Sequence, residues 1–428
     1  MNTKPRLTRL AVGALGLALA LGVSACGSQG SGDSKDDTLK LGAPLGLTGA
    51  IADQATGMKE GYNLYLEEHG NKLGGIPVEI LLEDTKSDAS VVVQKTRKLI
   101  QNDGVHAVIG GALAFESLAI ADQVKAAKMA YVSPISSADD LTQRKALPLV
   151  ARTNMTSSQL NMPFGEYAFK ELGYRKVALI AQDYSYGWES AGGFQYGFEG
   201  AGGKVVKKVW VPLEASDWSP FVRQLPRDVD AVYALPVGAG VPRLVKAYEE
   251  FGFRKDIPLI GGPDLADDDA LTALGKSAVG IVHVHSYNKE NDATKGFADT
   301  FRGKFGADPS YWGESTYTEL MWIDAAITSY RERTDASVGD TIKWIRDEPE
   351  EFIAELRAVE LPDAPRGPVS LDDLNNAVLN GYVVEVTAGS DGSPVGKTVA
   401  TFEKATQFWN VGKDEFLKQP VFSRDFPK

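Results

Sequence analysis

Cysteine is all but missing from this chain: Cys26 is the single thiol in 428 residues. One thiol excludes an internal disulfide, so a folded body must be held by buried apolar surface. Histidine is scarce too, with only His69, His106, His283 and His285. His283 and His285 alternate onto one face of a strand and could share a metal, but no third or fourth ligand stands nearby, which leaves ordinary strand histidines. Positive charge is in deficit, with 45 Lys and Arg against 57 Asp and Glu. That balance argues against a surface built to neutralise nucleic-acid phosphates. No apolar run after Val23 is long enough to span a bilayer. Catalytic signatures are missing as well. The Gly-rich stretches 200–203 and 238–240 lack the Lys-Ser/Thr ending of a phosphate loop, and Ser190 lacks the flanking glycines of a nucleophile elbow. The acidic run Asp267-Asp268-Asp269 lacks the alternating ligands and closing Glu of a calcium loop and reads as a solvated helix start. No enzyme, metal or cofactor is expected.

What is present begins at the N-terminus. Lys4, Arg6 and Arg9 precede an unbroken run of Leu, Ala, Val and Gly from Leu10 to Val23. Too short for a stable transmembrane helix, which needs about 20 apolar residues, the run has the form of a signal-peptide core. Val23-Ser24-Ala25-Cys26 resembles a bacterial lipobox, which implies removal of residues 1–25 and lipidation of Cys26. Residues 26–37 are a flexible tether by composition. Losing the leader and its three basic residues takes the net charge from −12 to −15. About 390 residues then remain, enough for two domains of ordinary size.

From Leu39 onward strand-like and helix-like runs alternate. Strands are predicted at 39–45, 78–84, 105–110 and 130–134, with helices at 57–68, 90–102 and 117–125 between them. The rhythm restarts after Thr153-Asn154-Met155-Thr156, with a helix at 158–172 and strands at 176–182, 204–211, 231–235, 258–261 and 279–284. Helices at 219–225 and 241–251 lie within that series. Two helical patterns, 293–305 and 315–331, follow with no strand between them and are expected to cover the first sheet. A Pro-rich stretch at Pro362, Pro365 and Pro368 leads to strands near 381–386 and 399–402. Alternating β and α implies parallel sheets with helices on both faces. The expected fold is α/β, with two doubly wound parallel-sheet lobes joined by three hinge crossovers. Lobe I is placed at 38–154 and 288–362, and lobe II at 155–287 and 363–428.

In open α/β sheets ligands bind beyond the carboxyl ends of the strands, and this rule selects the residues to inspect. Gly111 to Ser117, with Phe115 and Glu116, follow one strand and open a helix; Ile135-Ser136-Ser137 follow another. Helix-start amides attract carboxylates and the serine hydroxyls add donors, although Ser136, Ser137, Glu116 and Ser117 are equally suited to helix capping. Tyr184 and Tyr186 are aromatics with polar tips, suited either to ligand walls or to hinge packing. Asp264 is placed to pair with an ammonium or to cap the next helix.

At these residues the sequence resembles the type I periplasmic binding proteins, specifically the leucine/isoleucine/valine-binding branch. The resemblance runs from about Leu39 to near the C-terminus. It rests on Leu45-Gly46-Leu47-Thr48-Gly49, Val108-Ile109-Gly110, Ser133-Pro134 with Leu141-Thr142, Arg152-Thr153, Asp183 to Gly187, Asp217-Trp218-Ser219, Pro263-Asp264 and Arg366-Gly367-Pro368-Val369. The resemblance implies that Ser137, with the main chain near Ile135, holds a ligand carboxylate. It likewise implies that Tyr186 closes over the ligand and Asp264 takes the ammonium. Two departures stand out: Phe115-Glu116 replaces small Ser or Thr, and Val237-Gly238 replaces a tyrosine wall. The implied protein is a monomeric, lipid-anchored solute receptor that delivers a branched-chain or other hydrophobic amino acid to a permease–ATPase importer. A sensory lipoprotein, or a receptor for an amide or aromatic acid, is the alternative. The expected ligand-binding set is Phe115, Glu116, Ile135, Ser136, Ser137, Tyr184, Tyr186, Asp264 and Gly238.

Overall fold

The computed structural model describes residues 37–427; the leader and Cys26 lie outside the described residues. The first elements are β1 (Leu39–Leu45), α1 (Ala52–Glu68), β2 (Lys72–Leu73), β3 (Ile76–Asp84), α2 (Ala89–Gln101), β4 (Ala107–Val108), α3 (Ala114–Ala127), β5 (Tyr131–Ser133) and β6 (Val150–Arg152). They form a six-stranded sheet in the order β2-β3-β1-β4-β5-β6, parallel except for the β2–β3 pair. β1 is buried along nearly its whole length because helices cover both faces of the sheet. α2 shows how those helices are specified. Asp88 caps its start by accepting from Ser90 N at 2.8 Å and Val91 N at 3.0 Å, and Val92, Thr96 and Leu99 form its buried stripe.

After residues 153–160 the alternation restarts with α4 (Asn161–Lys170), β7 (Lys176–Gln182), α5 (Ser185–Gly200), β8 (Lys204–Val211), α6 (Ser219–Val222), β9 (Ala231–Leu235), α7 (Gly240–Glu250), β10 (Leu259–Gly261), α8 (Asp268–Leu274) and β11 (Val282–His285). β7 to β11 are parallel. The chain then returns to the first sheet through α9 (Asp292–Phe305), α10 (Tyr311–Thr334), α11 (Val338–Asp347) and α12 (Pro349–Ala358). Phe297 and Phe301 of α9 pack on Leu64 of α1, and α10 lies along α1. A Cβ at Gly61 would collide with the Gly313 carbonyl, so glycine is what lets these two helices approach so closely. β12 (Ser370–Leu371), β13 (Ala377–Ala388), β14 (Pro394–Ala405) and α13 (Lys413–Phe416) complete the second sheet and its cover.

The second sheet is parallel-dominated, as expected, and adds an antiparallel portion at one edge. β13 runs antiparallel to β11, β12 and β14. β13 and β14 are joined by the tight turn 389–393, closed by Gly389 N donating to Ser393 O at 2.7 Å, and so short a connection is open only to an antiparallel pair. α10 also begins earlier than the pattern suggested, because Ser310 caps it and brings Tyr311 and Trp312 into its first turn. In all, the chain passes between the sheets three times, at 153–160, 286–291 and 359–369.

Between α1 and α10, Glu319 is fully buried and accepts from Tyr62 Oη at 2.6 Å. Burial pushes its carboxyl well above the ordinary value of 4.5, and Glu189 of α5 is raised the same way, helped by the neighbouring Asp139 carboxyl. A carboxyl with a raised folded value binds more protons in the folded state, so its contribution is complete below about pH 4.5 and is lost as pH rises above it. Buried His283 and His285 act oppositely but only below their ordinary value of 6.5. The stability these two carboxyls contribute is therefore expected to fall as pH rises above about 4.5. Glu319→Gln should flatten that slope by up to about 1.4 kcal/mol per pH unit, as read by urea unfolding; a slope equal to the parent's would show that Glu319 is ionised in the fold.

Candidate functional site

In each sheet the strand order reverses beside its first strand. β3 lies on one side of β1 and β4 on the other; β8 lies on one side of β7 and β9 on the other. Such switch points leave a crevice at the carboxyl ends of the strands. Here the two sets of strand ends face the same cleft. The loops after β4, β5 and β6 supply Ala112, Leu113, Ala114, Ile135, Ser137 and Met155. Those after β7, β9 and β10 supply Tyr184, Tyr186, Val237, Pro263 and Asp264, and the first turn of α10 adds Tyr311 and Trp312.

At one end stands Ser137. Its main-chain oxygen accepts from Ser157 N at 2.7 Å and from Ser157 Oγ at 2.8 Å, while its own Oγ accepts from Ser157 Oγ at 3.1 Å. These contacts hold Ser137 in place where it lines the cleft. Beside it Leu113 and Ala114, at the start of α3, line the cleft.

At the other end stands Asp264, in the short turn that follows β10. Its Oδ2 accepts from Tyr186 Oη. Although it opens onto the cleft, protein surrounds it, and this burial pushes its carboxyl up to about 6 against the lowering effect of the tyrosine hydrogen bond. Tyr184 and Tyr186 stack obliquely with ring centroids 5.9 Å apart, and burial holds both phenols above their ordinary value. Tyr311 closes the back wall; its Oη lies 2.6 Å from Asn154 Nδ2, which donates to it. None of the lining residues is Lys, Arg or His.

Of the residues expected from sequence, Ile135, Ser137, Tyr184, Tyr186 and Asp264 come together in the cleft. Phe115, Glu116 and Ser136 do not line it. Glu116 is fully buried and turned toward its own loop: Oε2 accepts from Leu113 N at 3.0 Å and Ala112 N at 3.3 Å, and Oε1 accepts from Thr85 Oγ1 at 2.5 Å. The carboxyl caps α3 from inside, and burial raises it above the usual range. Ser136 Oγ donates to Ser117 Oγ at 2.5 Å and Leu113 O at 3.3 Å, tying the β5 loop to α3. Phe115 packs against the core. Gly238, at φ 51°, belongs to the wider adjoining groove with Asp53 and Gln54, which meets the cleft at Asp264 and Trp312. Met155, Tyr311 and Trp312 were missed. The signal for the last two was the Pro309-Ser310 helix start, which puts a Tyr-Trp pair on a helix N-terminus just after a crossing. His283 and His285 are buried on β11 and held neutral by burial, His283 down to about 4; the His285 ring meets the Tyr311 ring edge-on at 4.5 Å.

The sequence pattern described as "Periplasmic binding protein" matches residues 38–393. Leu/Ile/Val-binding protein homolog 6 of Brucella melitensis is 27% identical over 378 residues, covering 86% of this chain and 92% of its own length. An ABC transporter substrate-binding protein from Sphaerobacter thermophilus is 27% identical and superposes with a TM-score of 0.78, over 86% of this chain and 99% of its own. A solute-binding protein of an ABC transporter from Rhodopseudomonas palustris BisB5, solved in complex with 3,4-dihydroxybenzoic acid, is 27% identical with a TM-score of 0.77, over 87% and 99%. The family is one of transport receptors rather than of enzymes, and it implies an extracytoplasmic location. Among the described residues no helix is long and apolar enough to cross a membrane. With a family match over most of its length and a cleft at the facing strand ends of two sheets, the chain belongs to the type I periplasmic binding proteins, the solute-binding components of ABC importers.

Proposed function

We propose that the protein captures a zwitterionic, hydrophobic amino acid and delivers it to a permease–ATPase complex. In this reading residues 38–154 and 288–362 form one lobe, 155–287 and 363–428 the other, and the solute favours the closed state by touching both. The ligand carboxylate is held by the Ser137 hydroxyl and the backbone at the start of α3, and its ammonium by Asp264. Tyr184, Tyr186, Met155, Leu113 and Tyr311 enclose the side chain. Cys26 carries the lipid that holds a monomer at the outer face of the membrane through a flexible tether; transport, rather than sensing, follows from the importer family.

One observation carries the choice of ligand: the cleft contains the carboxyl of Asp264 and no basic side chain. A solute of net charge −1 would bring a second negative charge into a closed, poorly solvated space with no cation to meet it. A zwitterion brings its own cation to Asp264. The rival reading, an aromatic acid, is favoured by the tyrosine-rich walls and by the dihydroxybenzoate complex of the Rhodopseudomonas relative.

The two readings have opposite pH dependence. An ammonium needs ionised Asp264, so calorimetry with L-leucine should show affinity falling as pH is lowered from 7.5 to 5, through the Asp264 value of about 6. A benzoate would instead bind more tightly over the same interval, because neutral Asp264 no longer repels it, and that result would replace the amino-acid reading. Asp264→Asn tests the same contact by thermal shift. Removing one partner of a desolvated charge pair costs about 2–5 kcal/mol, so the shift produced by L-leucine should vanish; an undiminished shift would remove Asp264 from the ammonium site.

A further inference from the structure

Behind the cleft lies a buried polar cluster that joins the first and third passages between the sheets and abuts the strand that leads into the second. From the third passage comes Arg366, almost wholly buried. Its guanidinium donates from Nε to Glu314 Oε1 at 3.0 Å and from Nη2 to Glu314 Oε2 and to Ser315 Oγ, the latter at 2.6 Å. From the first passage comes Asn154, whose Oδ1 accepts from Arg366 Nη1 at 3.0 Å and whose Nδ2 donates to Pro134 O at 2.8 Å and to Tyr311 Oη at 2.6 Å. Just before the second passage, at the end of β11, His285 sets its ring edge-on against Tyr311. Glu314, Ser315 and Tyr311 all belong to the first turns of α10, and Arg366 O accepts from Tyr382 Oη of β13 at 2.7 Å. Tyr311 is the member of this cluster that also lines the cleft.

We propose that Tyr311 is a positioning residue that couples occupancy of the cleft to the angle between the two halves, acting through Asn154 and the Arg366–Glu314 pair. The proposal rests on the reading of the protein as a clamp. The geometry explains the direction of coupling. A solute against the Tyr311 ring fixes the hydroxyl that Asn154 bonds, and Asn154 in turn fixes the Arg366 fork, so the first and third passages are held in one register. Packed polar networks of this kind have discrete arrangements rather than a continuum. The neighbouring Trp312 lines the same cleft, but it is Tyr311 whose hydroxyl accepts from Asn154 of the first passage, which separates wall from coupler within one helical turn.

The test uses the full chain with Cys26→Ala, and Asp53→Cys with Thr272→Cys as spin-label sites. Both native positions are exposed, and they face one another across the adjoining groove. Pulsed electron spin distances are recorded without solute and with millimolar L-leucine, in the parent and in Tyr311→Phe and Ser315→Ala. Ser315 does not line the cleft, so its variant keeps the ligand contacts intact. Loss of one buried hydrogen bond should change the ratio of long to short distances about five-fold, already without solute, in both variants, and the double variant should change it by less than the product of the two. Thermal unfolding of each variant confirms that it is folded. Distance distributions identical to the parent's in both folded variants, with and without L-leucine, would overturn the proposal. Should L-leucine leave the parent unchanged while the variants shift without solute, the amino-acid reading fails and the coupling stands. Should L-leucine shorten the distances equally in parent and variants, the coupling fails and the amino-acid reading stands.

Discussion

Two buried guanidinium groups hold the middle of this molecule. Arg366 binds Glu314, Ser315 and Asn154, and Arg152 binds Asn376 Oδ1 at 2.8 Å, the carbonyls of Ser136 at 3.2 Å and Ala138 at 2.6 Å, and the Thr142 hydroxyl. Arg366 therefore links the first passage between the sheets to the third, and Arg152 links the end of β6 and the loop after β5 to the turn between β12 and β13. Burying a guanidinium adds little net stability, because its desolvation offsets much of what its partners return; loss of one partner, by contrast, costs about 3–5 kcal/mol. The effect is specificity of arrangement. Both sheets are held with their carboxyl edges toward one cleft, and two of the segments that must bend are the segments Arg366 ties.

The electrostatics of the cleft follow from how its neighbours were neutralised. Arg152, Glu116, Asp139 and Glu189 all lie close behind its walls, yet each is committed elsewhere. Glu116 caps α3; Asp139 Oδ1 accepts from Ser158 N at 3.0 Å; Glu189 Oε2 accepts from Asp139 N at 3.0 Å. What remains facing the solute is one serine hydroxyl, the start of α3, a set of aromatic rings and Asp264. A site so sparse in charge can discriminate strongly, since an unpaired group in a closed cleft is costly.

Much of this was legible in the sequence. The alternation of strand-like and helix-like runs marked β1, β7, β8 and β9 at their true bounds: β7 and β9 are buried on both faces and read as near-continuous apolar runs, whereas the half-exposed edge strand β8 shows through its valines and the glycines before it. Ser137, Tyr186 and Asp264 follow strands and so fall under the rule that ligands gather at strand ends. Sequence could not show which way a side chain turns. Glu116 read equally as a charge at the ligand or a helix cap, and its carboxylate reaches back three residues to its own helix start, a capping-box arrangement that lies within one turn. Nor could local pattern place Tyr311, which enters the site from a helix more than a hundred residues beyond the other walls of its sheet. The antiparallel hairpin of β13 and β14 was similarly hidden, since its strands look alike whichever direction they pair.

The central claim is that one solute is gripped from both sides of the cleft. A crystal structure of the mature chain grown with L-leucine tests it most directly. The account predicts the carboxylate within hydrogen-bonding distance of Ser137 Oγ and the ammonium within hydrogen-bonding distance of Asp264. Leucine lodged on the loops of a single sheet, or with its amine directed away from Asp264, would contradict it.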